Sequence, residues 1–393
     1  MAEKKVNKKE NWVSNFNLIG KPVIGDYTFK IDEKSDKSNW IYNAMNLGVD
    51  CGEKAGTVYC ELMGGYAEGG NNKIYAHGKT EDGQDDFEQK IEVDWEDRFN
   101  EDVLEEIGSL SFLKVGLEKT SEGKTFYKDF LSAYDAISYI KEHLTEDMVV
   151  NVKGNLKYSS YNDNVQVKKN ITSIVLSKVD DPSKYKATFT QSILIDKDSA
   201  SLKNIDKDKG VMYVDARVLD YLKEYNGIEV KGQFPYNKQF EFELNLENEK
   251  QCKTIYEKLF KVKKGVTQIT FEGEFIEGGA VVTATWEDVP DDIKDLVEMG
   301  VYTKEEALAK CTANGSKERR MVLRKPYIKM VGNDDGKVPA IQKFENRYEE
   351  NDLILDYLYE NKSSVEHPVD EEIPFDTNSD SNEDDSMSWL ANL

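Results

Sequence analysis

Two Gly-Lys-Thr tripeptides are the first places to look for chemistry, because a phosphate-binding loop ends in Gly-Lys followed by Ser or Thr. The chain has this ending at Gly78-Lys79-Thr80 and at Gly123-Lys124-Thr125. The loop also needs another glycine five residues before the glycine of Gly-Lys, so that backbone amides can approach the phosphates. Lys73 and Glu118 occupy those positions, so both matches fail.

Catalytic and metal-binding side chains show no motif. The three histidines, His77, His143 and His367, are far apart, and none has an H-x-E or HExxH neighbourhood. The 75 Asp and Glu residues could supply carboxylate pairs almost anywhere, so their presence discriminates nothing. The four cysteines have neither zinc-site nor disulfide spacing: Cys51, Cys60, Cys252 and Cys311. We therefore expect a protein that is not an enzyme and that holds no metal and no cofactor.

Lysines and tyrosines gather between residues 153 and 186, where seven lysines stand against three aspartates. Single-stranded nucleic acid favours this mixture, because cations follow the phosphates while aromatic faces stack on bases. Tyr158 has the parity of an apolar stripe and fits a core position, whereas Tyr161 lies in a predicted turn. Each lysine could instead belong to a solvated face. The candidate binding residues are Lys153, Lys157, Tyr161, Lys168 and Lys169.

Three more aromatic side chains, Trp40, Tyr42 and Tyr59, fall opposite the apolar stripe of two neighbouring predicted strands. Aromatic groups facing water need a cover, and stacked bases are one. A helix or a second domain packed on this face is the alternative.

A basic segment at 317–331 extends the possible phosphate track. It holds half of the six arginines of the chain against a single glutamate. The further candidates there are Arg319, Arg320, Arg324 and Lys325.

The elements that must position these residues are mostly strands. Residues 150–158 alternate apolar and polar side chains, a polar turn follows, and the alternation resumes at 165–171 with a parity shift that predicts a bulge. A helical pattern over 130–144 precedes this hairpin. Helix, strand, basic aromatic turn and strand are typical of the closing half of an oligonucleotide-binding barrel.

A short pattern with a central glycine occurs three times, at 150–156, 228–234 and 269–275, which favours two barrels in tandem over one large sheet. We predict a mainly β (α+β) protein with two tandem OB-fold-like five-stranded barrels and inserted helices. The predicted parts are a disordered basic arm (1–10), a first OB-fold-like domain (11–180) with a helical insertion at about 100–146, a second OB-fold-like domain (181–335) with a helical extension, and a disordered acidic tail (336–393) with a short amphipathic helix near 344–360.

The net charge of −23 over 393 residues is unevenly distributed. Residues 345–393 carry 15 acidic residues against Arg347 and Lys362, so the tail holds −13 and the remainder only −10. No apolar run approaches the roughly 18 residues of a membrane span, and the N-terminus has no secretory signal. Together with the scattered cysteines, these features predict a cytoplasmic protein.

Three segments resemble the single-stranded-DNA-binding proteins of bacteria and their phages. The run from Ala133-Tyr-Asp-Ala-Ile137 through Val150-Asn-Val-Lys-Gly-Asn-Leu156 to Ile174-Val-Leu176 resembles the helix, fourth strand and fifth strand of that family. Asp370-Glu-Glu-Ile-Pro-Phe375 is similar to the acidic tip by which such proteins recruit replication and repair enzymes. The tandem architecture resembles a diverged, phage-type member.

The tail departs from the family pattern, in which the phenylalanine is usually the last residue. Here 18 residues follow Phe375, ending in an apolar segment. The resemblance implies that the docking residues are Ile373, Pro374 and Phe375 or, at the end of the chain, Trp389 and Leu390.

The leading interpretation is a non-enzymatic protein that coats and protects single-stranded DNA during phage replication, repair or recombination. Its expected partners are single-stranded DNA, replication or recombination proteins bound by the tail, and other copies of itself. The alternative is a protein-interaction or virion structural β protein without nucleic-acid affinity. A partner in strand annealing is a third class.

Overall fold

The computed structural model describes residues 12–349, except for 162–163, 226–227, 334–335 and short gaps between 278 and 318. The first half consists mainly of strands. In chain order its elements are β1 (Ser14–Val23), β2 (Phe29–Lys34), β3 (Trp40–Asp50), β4 (Thr57–Ala67), β5 (Lys73–Lys79), β6 (Asp85–Asp94), α1 (Glu101–Glu106), β7 (Leu113–Lys119), β8 (Thr125–Phe130), α2 (Ala133–His143), β9 (Val150–Tyr161) and β10 (Asn164–Leu176).

Five of these strands close a barrel. The pairing runs from β1 to β3, β4, β10 and β9 and returns to β1, with β4 and β10 parallel and the other pairs antiparallel. β2 pairs with the same edge of β3 as β1 does, farther along that strand. The helix α2 lies in sequence between the third and fourth strands of the ring, as the resemblance predicted. The expected closed barrel of the oligonucleotide-binding type is therefore present.

The alternation of side chains explains the interior of this barrel. Residues of one parity on each strand are buried, among them Leu47, Val58, Val152 and Ile174. The helix α2 buries Ala136, Ile137 and Ile140 against the barrel. Its first turn is capped by Ser132, whose hydroxyl accepts a hydrogen bond from the Tyr134 amide at 3.1 Å.

The second half repeats the arrangement. Its elements are β11 (Lys186–Ile195), β12 (Ile205–Asp206), β13 (Val211–Tyr225), β14 (Ile228–Glu243), α3 (Glu249–Ile255), β15 (Val266–Ile276), β16 (Val281–Val282), α4 (Asp291–Glu298), β17 (Ala313–Asn314), β18 (Arg320–Pro326), β19 (Ile328–Asn333), β20 (Gly336–Ile341) and β21 (Lys343–Tyr348). The ring β11, β13, β14, β18 and β15 has the same pairing order, and its β14–β18 pair is again parallel.

The two rings share one sheet because their first strands pair antiparallel, with Phe16 opposite Phe189. Phe16 also faces Gly154 on β9, and Phe189 faces Gly273 on β15. A Cβ on Gly154 would lie 2.7 Å from the Phe16 ring, and one on Gly273 would lie 2.2 Å from the Phe189 ring. The first and third copies of the glycine pattern are therefore equivalent, since each glycine makes room for a phenylalanine of its own first strand.

Three sequence predictions need correction. The second copy of the glycine pattern lies in β14, the third strand of its ring, so it is not equivalent to the other two. The insertion at 100–146 is not only helical, because β7 and β8 form a hairpin that pairs in parallel with β10. The segment 336–393, predicted as a disordered tail, begins with two strands, β20 and β21.

The expected helix near 344–360 begins instead as a strand. β21 pairs with the first half of β15, beyond the reach of β18. The edge of β15 that β18 does not reach has backbone groups that need partners, and pairing with them overrides the helical pattern of the segment. The sheet of the second ring thus continues past residue 335, and the rest of the predicted tail lies outside the described residues. In the described part, no helix is long and apolar enough to cross a membrane.

Candidate nucleic-acid interface

The outward face of β4, β10 and β9 brings an aromatic ring beside two lysines. Asn170 of β10 pairs in parallel with Glu61 of β4, so Tyr59 and Lys168, two residues earlier on each strand, stand side by side on the same face. Lys157 of β9 is directly opposite Lys168. Neighbouring strands lie about 4.8 Å apart, so the three side chains project as one row.

Tyr59 is available for stacking. It is 43% exposed, and it faces Gly48 across the β3–β4 pair. A Cβ on Gly48 would lie 3.2 Å from Cε1 of the tyrosine, so the ring lies across the glycine. The ring therefore lies against the sheet at Gly48, and its exposed part is available to stack on a base.

The opposed lysines are unfavourable by themselves, since like charges directly across a β ladder repel. Asp220 of β13 relieves part of this, because its carboxylate lies 3.5 Å from the Lys157 Nζ. Among the described residues, Lys168 has no carboxylate at ion-pair distance. Its positive charge opposes the burial that raises the pKa of the Glu61 carboxyl. A row with surplus positive charge beside an aromatic ring suits an anionic, base-bearing ligand.

Trp40 and Tyr42 also lie on the outward parity of β3, as predicted, but both are half-buried. They are several residues along the strand from the Tyr59 row, opposite Ala67 and Gly65. Burial, together with Glu33 and Asp36, raises the pKa of the Tyr42 phenol. Met63, 58% exposed, lies between this end of the face and the Tyr59 row. Sequence analysis missed Met63, although it has the parity of Tyr59.

Glu61 is an acidic group within the basic face. Burial raises the pKa of its carboxyl, while the charges of Lys168 and Lys169 oppose that shift. In its ionised form Glu61 partly neutralises the positive charge of the row, and a bound phosphate would have to compete with it for Lys168.

Lys169 does not project from this face. Its side chain is 8% exposed, and its Nζ lies 2.6 Å from the carboxylate of Glu277, which is equally buried. The ammonium also lies 4.7 Å from the centre of the Phe275 ring. Adjacent residues of a β strand lie on opposite faces, so Lys169 points to the junction of the two rings of strands while Lys168 points outward. In this position Lys169 pairs with Glu277 at the junction and does not face a phosphate on the outward face.

The basic segment of β18 is largely neutralised by carboxylates of neighbouring strands. Arg320 Nε lies 2.8 Å from Glu241, and Arg324 Nε lies 2.8 Å from Glu274. Lys325 pairs with Glu272 at 2.9 Å. Glu243 adds a second carboxylate to Arg324, and Lys54 adds a second cation to Glu274. Arg319 is exposed at the start of the segment.

Lys153 is exposed on the outward face of β9, four residues from Lys157. Tyr161 ends β9, and its side chain is outside the described set. The five predicted tail residues also lie outside the described part of the chain: Ile373, Pro374, Phe375, Trp389 and Leu390. Tyr158 is 4% exposed, as its parity predicted, and its hydroxyl donates to Gln191 at 2.9 Å.

His77 lies in a polar cluster that sequence analysis did not find. Its Nε2 is 2.7 Å from Asp85, and its Nδ1 is 2.9 Å from the Ser111 hydroxyl. The Ser111 oxygen accepts the His77 amide, and Asp85 accepts the Leu110 amide. These backbone donors are engaged within the cluster, so they cannot stabilise an oxyanion. The cluster ties the β5–β6 hairpin to the turn at 109–111.

The described residues contain no group of three His, Cys, Asp or Glu side chains that could hold a metal ion. Fold and face together define a mainly β protein built on a closed five-stranded barrel, with aromatic and cationic side chains on the outward face of its strands. The chain belongs to the YorF family, whose model matches residues 76–292. No curated protein matches it.

Two solved structures are similar to the chain, both of the single-stranded DNA binding protein from Thermus aquaticus. The wild-type structure has 8% sequence identity and a TM-score of 0.29, covering 67% of this chain and 86% of that chain. A deletion mutant has 10% identity and a TM-score of 0.29, covering 67% and 87%. A likeness of this size identifies no function.

Proposed function

We propose that this protein binds single-stranded DNA without sequence preference and coats it during phage replication, repair or recombination. The observation that carries the proposal is the row of Tyr59, Lys168 and Lys157 on the outer strands of the first barrel. A ring resting on glycine beside paired lysines fits a base and its adjoining phosphates. Stacking on an aromatic ring and contact of lysines with phosphates do not depend on base identity, which favours binding without sequence preference.

The two rings of strands are expected to contribute unequally to DNA binding. Both have the strand order of oligonucleotide-binding barrels, but Arg320 and Arg324 of the second are paired with Glu241, Glu243 and Glu274. The first barrel therefore supplies the main contacts, with Trp40, Tyr42 and Met63 continuing the face beyond Tyr59.

The acidic tail is proposed to recruit partner proteins through residues 370–375 or through its apolar end. Its net charge also suits competition with phosphates for the lysine row. A chain truncated after residue 360 is expected to bind DNA more tightly at low salt. Equal affinities of the full and truncated chains at every salt concentration would contradict the competition.

The decisive experiment is fluorescence anisotropy with labelled oligo(dT) and a duplex control, each at two salt concentrations. We expect binding to oligo(dT) that weakens with salt by a slope of about −0.7 per phosphate contacted. The absence of binding at low salt would refute the proposal, and equal affinity for duplex would point to general DNA binding.

Tyr59→Ala tests the residue that carries the proposal. Loss of one stacked base is expected to cost about 1–3 kcal/mol of binding free energy. Tyr59→Phe keeps the ring and should bind like the wild type. Phe87→Ala is the control, because Phe87 is 67% exposed on the separate β5–β6 hairpin. Equal losses for Tyr59→Ala and Phe87→Ala would mean that Tyr59 is not a specific contact.

One observation favours protein interaction as a second function. The β19–β20 hairpin forms a two-stranded sheet of its own and exposes apolar side chains: Ile328, Met330, Val331, Val338 and Ile341. Light scattering of the protein with Met330→Lys tests it, since self-association through this hairpin would be weakened. An unchanged mass would exclude the hairpin as a self-association surface.

A further inference from the structure

The hairpin of β7 and β8 extends the sheet of the first barrel past β10. Lys153 of β9 is paired with Ser173 of β10, and Ser173 is paired with Lys114 of β7. These three residues therefore form a row across three strands on the outward face. The two lysines are separated by two strand spacings, or about 10 Å.

Tyr127 of β8 lies at the outer end of this extension and is 54% exposed. A Cβ on Gly116 of β7 would lie 3.0 Å from Cδ1 and 3.2 Å from Cε1 of the tyrosine ring. The ring thus rests on a glycine of the adjacent strand, as the Tyr59 ring rests on Gly48. Both tyrosines are about half exposed to solvent.

Charge around Tyr127 favours an anion. Lys114 and Lys153 are exposed, and neither has a carboxylate at ion-pair distance among the described residues. Asp129 is opposite Lys114 in the β7–β8 register and is the one acidic residue in that row. The neighbouring Lys128 is engaged differently, since its ammonium lies over the rings of Phe130 and Tyr139.

Tyr127, Lys114 and Lys153 lie far along the strand direction from the row of Tyr59, Lys168 and Lys157. Lys168 is level with Tyr59, and Val175 is level with Gly116. The two levels are seven residues apart along β10, and one of these seven steps is taken up by a bulge. At about 3.3 Å per residue the two tyrosines are about 20 Å apart along the strand direction.

We infer that Tyr127, Lys114 and Lys153 form a second stacking subsite for single-stranded nucleic acid, reached only by strands long enough to pass from Tyr59 along β9 and β10. This inference rests on the proposed function and adds a second contact site to it. The inserted hairpin is then part of the binding surface, and the number of nucleotides covered exceeds that of one barrel face.

The test compares oligo(dT) of about 5 and about 20 nucleotides, the lower length being near the smallest site of a single barrel. Tyr127→Ala is expected to weaken binding of the long strand by about 5- to 150-fold and to leave the short strand unchanged. Tyr127→Phe should match the wild type. Lys114→Ala should lower the salt slope for the long strand by about 0.7.

Phe126→Ala is the matched control, because Phe126 is the next residue, is 47% exposed and faces the other side of β8. It should bind both strands like the wild type. Equal losses for Phe126→Ala and Tyr127→Ala would overturn the inference. It would also fail if Tyr127→Ala bound the long strand normally while Tyr59→Ala did not. If the wild type bound neither strand, the proposed function itself would fail.

Discussion

Two adjacent lysines, Lys168 and Lys169, are expected to give opposite phenotypes. Lys168 faces outward beside Tyr59, whereas Lys169 is 8% exposed and lies 2.6 Å from Glu277. Lys169→Met leaves a buried carboxylate without its counter-charge. Breaking a buried pair in this way costs about 3–5 kcal/mol of the free energy of unfolding. At a slope of about 3 kcal/mol per molar urea, the unfolding midpoint should fall by about 1–2 M.

Lys168→Ala should change the unfolding free energy by no more than about 0.5 kcal/mol, because it removes an outward side chain that faces the like charge of Lys157. Its effect should appear in DNA binding, as a salt slope lower by about 0.7. Urea unfolding followed by circular dichroism and salt-dependent anisotropy on the same samples measure both properties.

A double variant separates lost charge pairing from lost packing. Lys169→Met with Glu277→Leu removes both charges, and apolar replacement of a buried pair is often neutral in stability. We expect this double variant to recover most of the midpoint lost by Lys169→Met alone. Removing Lys169 also relieves Lys238, whose pKa is lowered by burial and by the Lys169 charge. Wild-type stability with a reduced salt slope in Lys169→Met would refute the assignment of Lys169 to the junction.

Other predictions concern the glycines and Glu61. Gly154→Ala and Gly273→Ala should each destabilise the fold by at least about 1–3 kcal/mol, because the new Cβ would meet backbone oxygens at 1.8 and 2.6 Å as well as a phenylalanine ring; wild-type thermal midpoints would contradict this. The raised pKa of Glu61 means that the folded state binds its proton more tightly than the unfolded chain, so this group reduces stability as pH rises from the ordinary carboxyl pKa through the raised one. Glu61→Gln should remove that loss and tighten oligo(dT) binding at neutral pH, and weaker binding by this variant would show that the carboxylate is not a competitor of phosphate.

Much of the first barrel could be predicted from local pattern. The alternation over 150–158 and 165–171 gave two strands, and the parity shift after Ile171 gave the irregularity that the register shows between Ile171 and Ser173. The helix before this hairpin was predicted from its periodicity and is present as α2. These features depend on neighbours a few residues apart, which a sequence displays directly.

Long-range pairing decided the rest. The helical interpretation of 100–146 missed the β7–β8 hairpin, in which β7 pairs with β8 on one side and with β10 on the other. The basic segment of β18 gave no sign that Glu241 and Glu274, 79 and 50 residues earlier, would hold Arg320 and Arg324.

The sequence alone determined which residues alternate, where the chain turns and how its charge is distributed, because these follow from residue type and spacing along the chain. Only the tertiary structure decided that Lys168 faces solvent while Lys169 is buried against Glu277, and that Tyr59 and Tyr127 each rest on a glycine of a neighbouring strand. The physical reason is that burial and charge pairing depend on which distant strands meet, and no local pattern specifies that register.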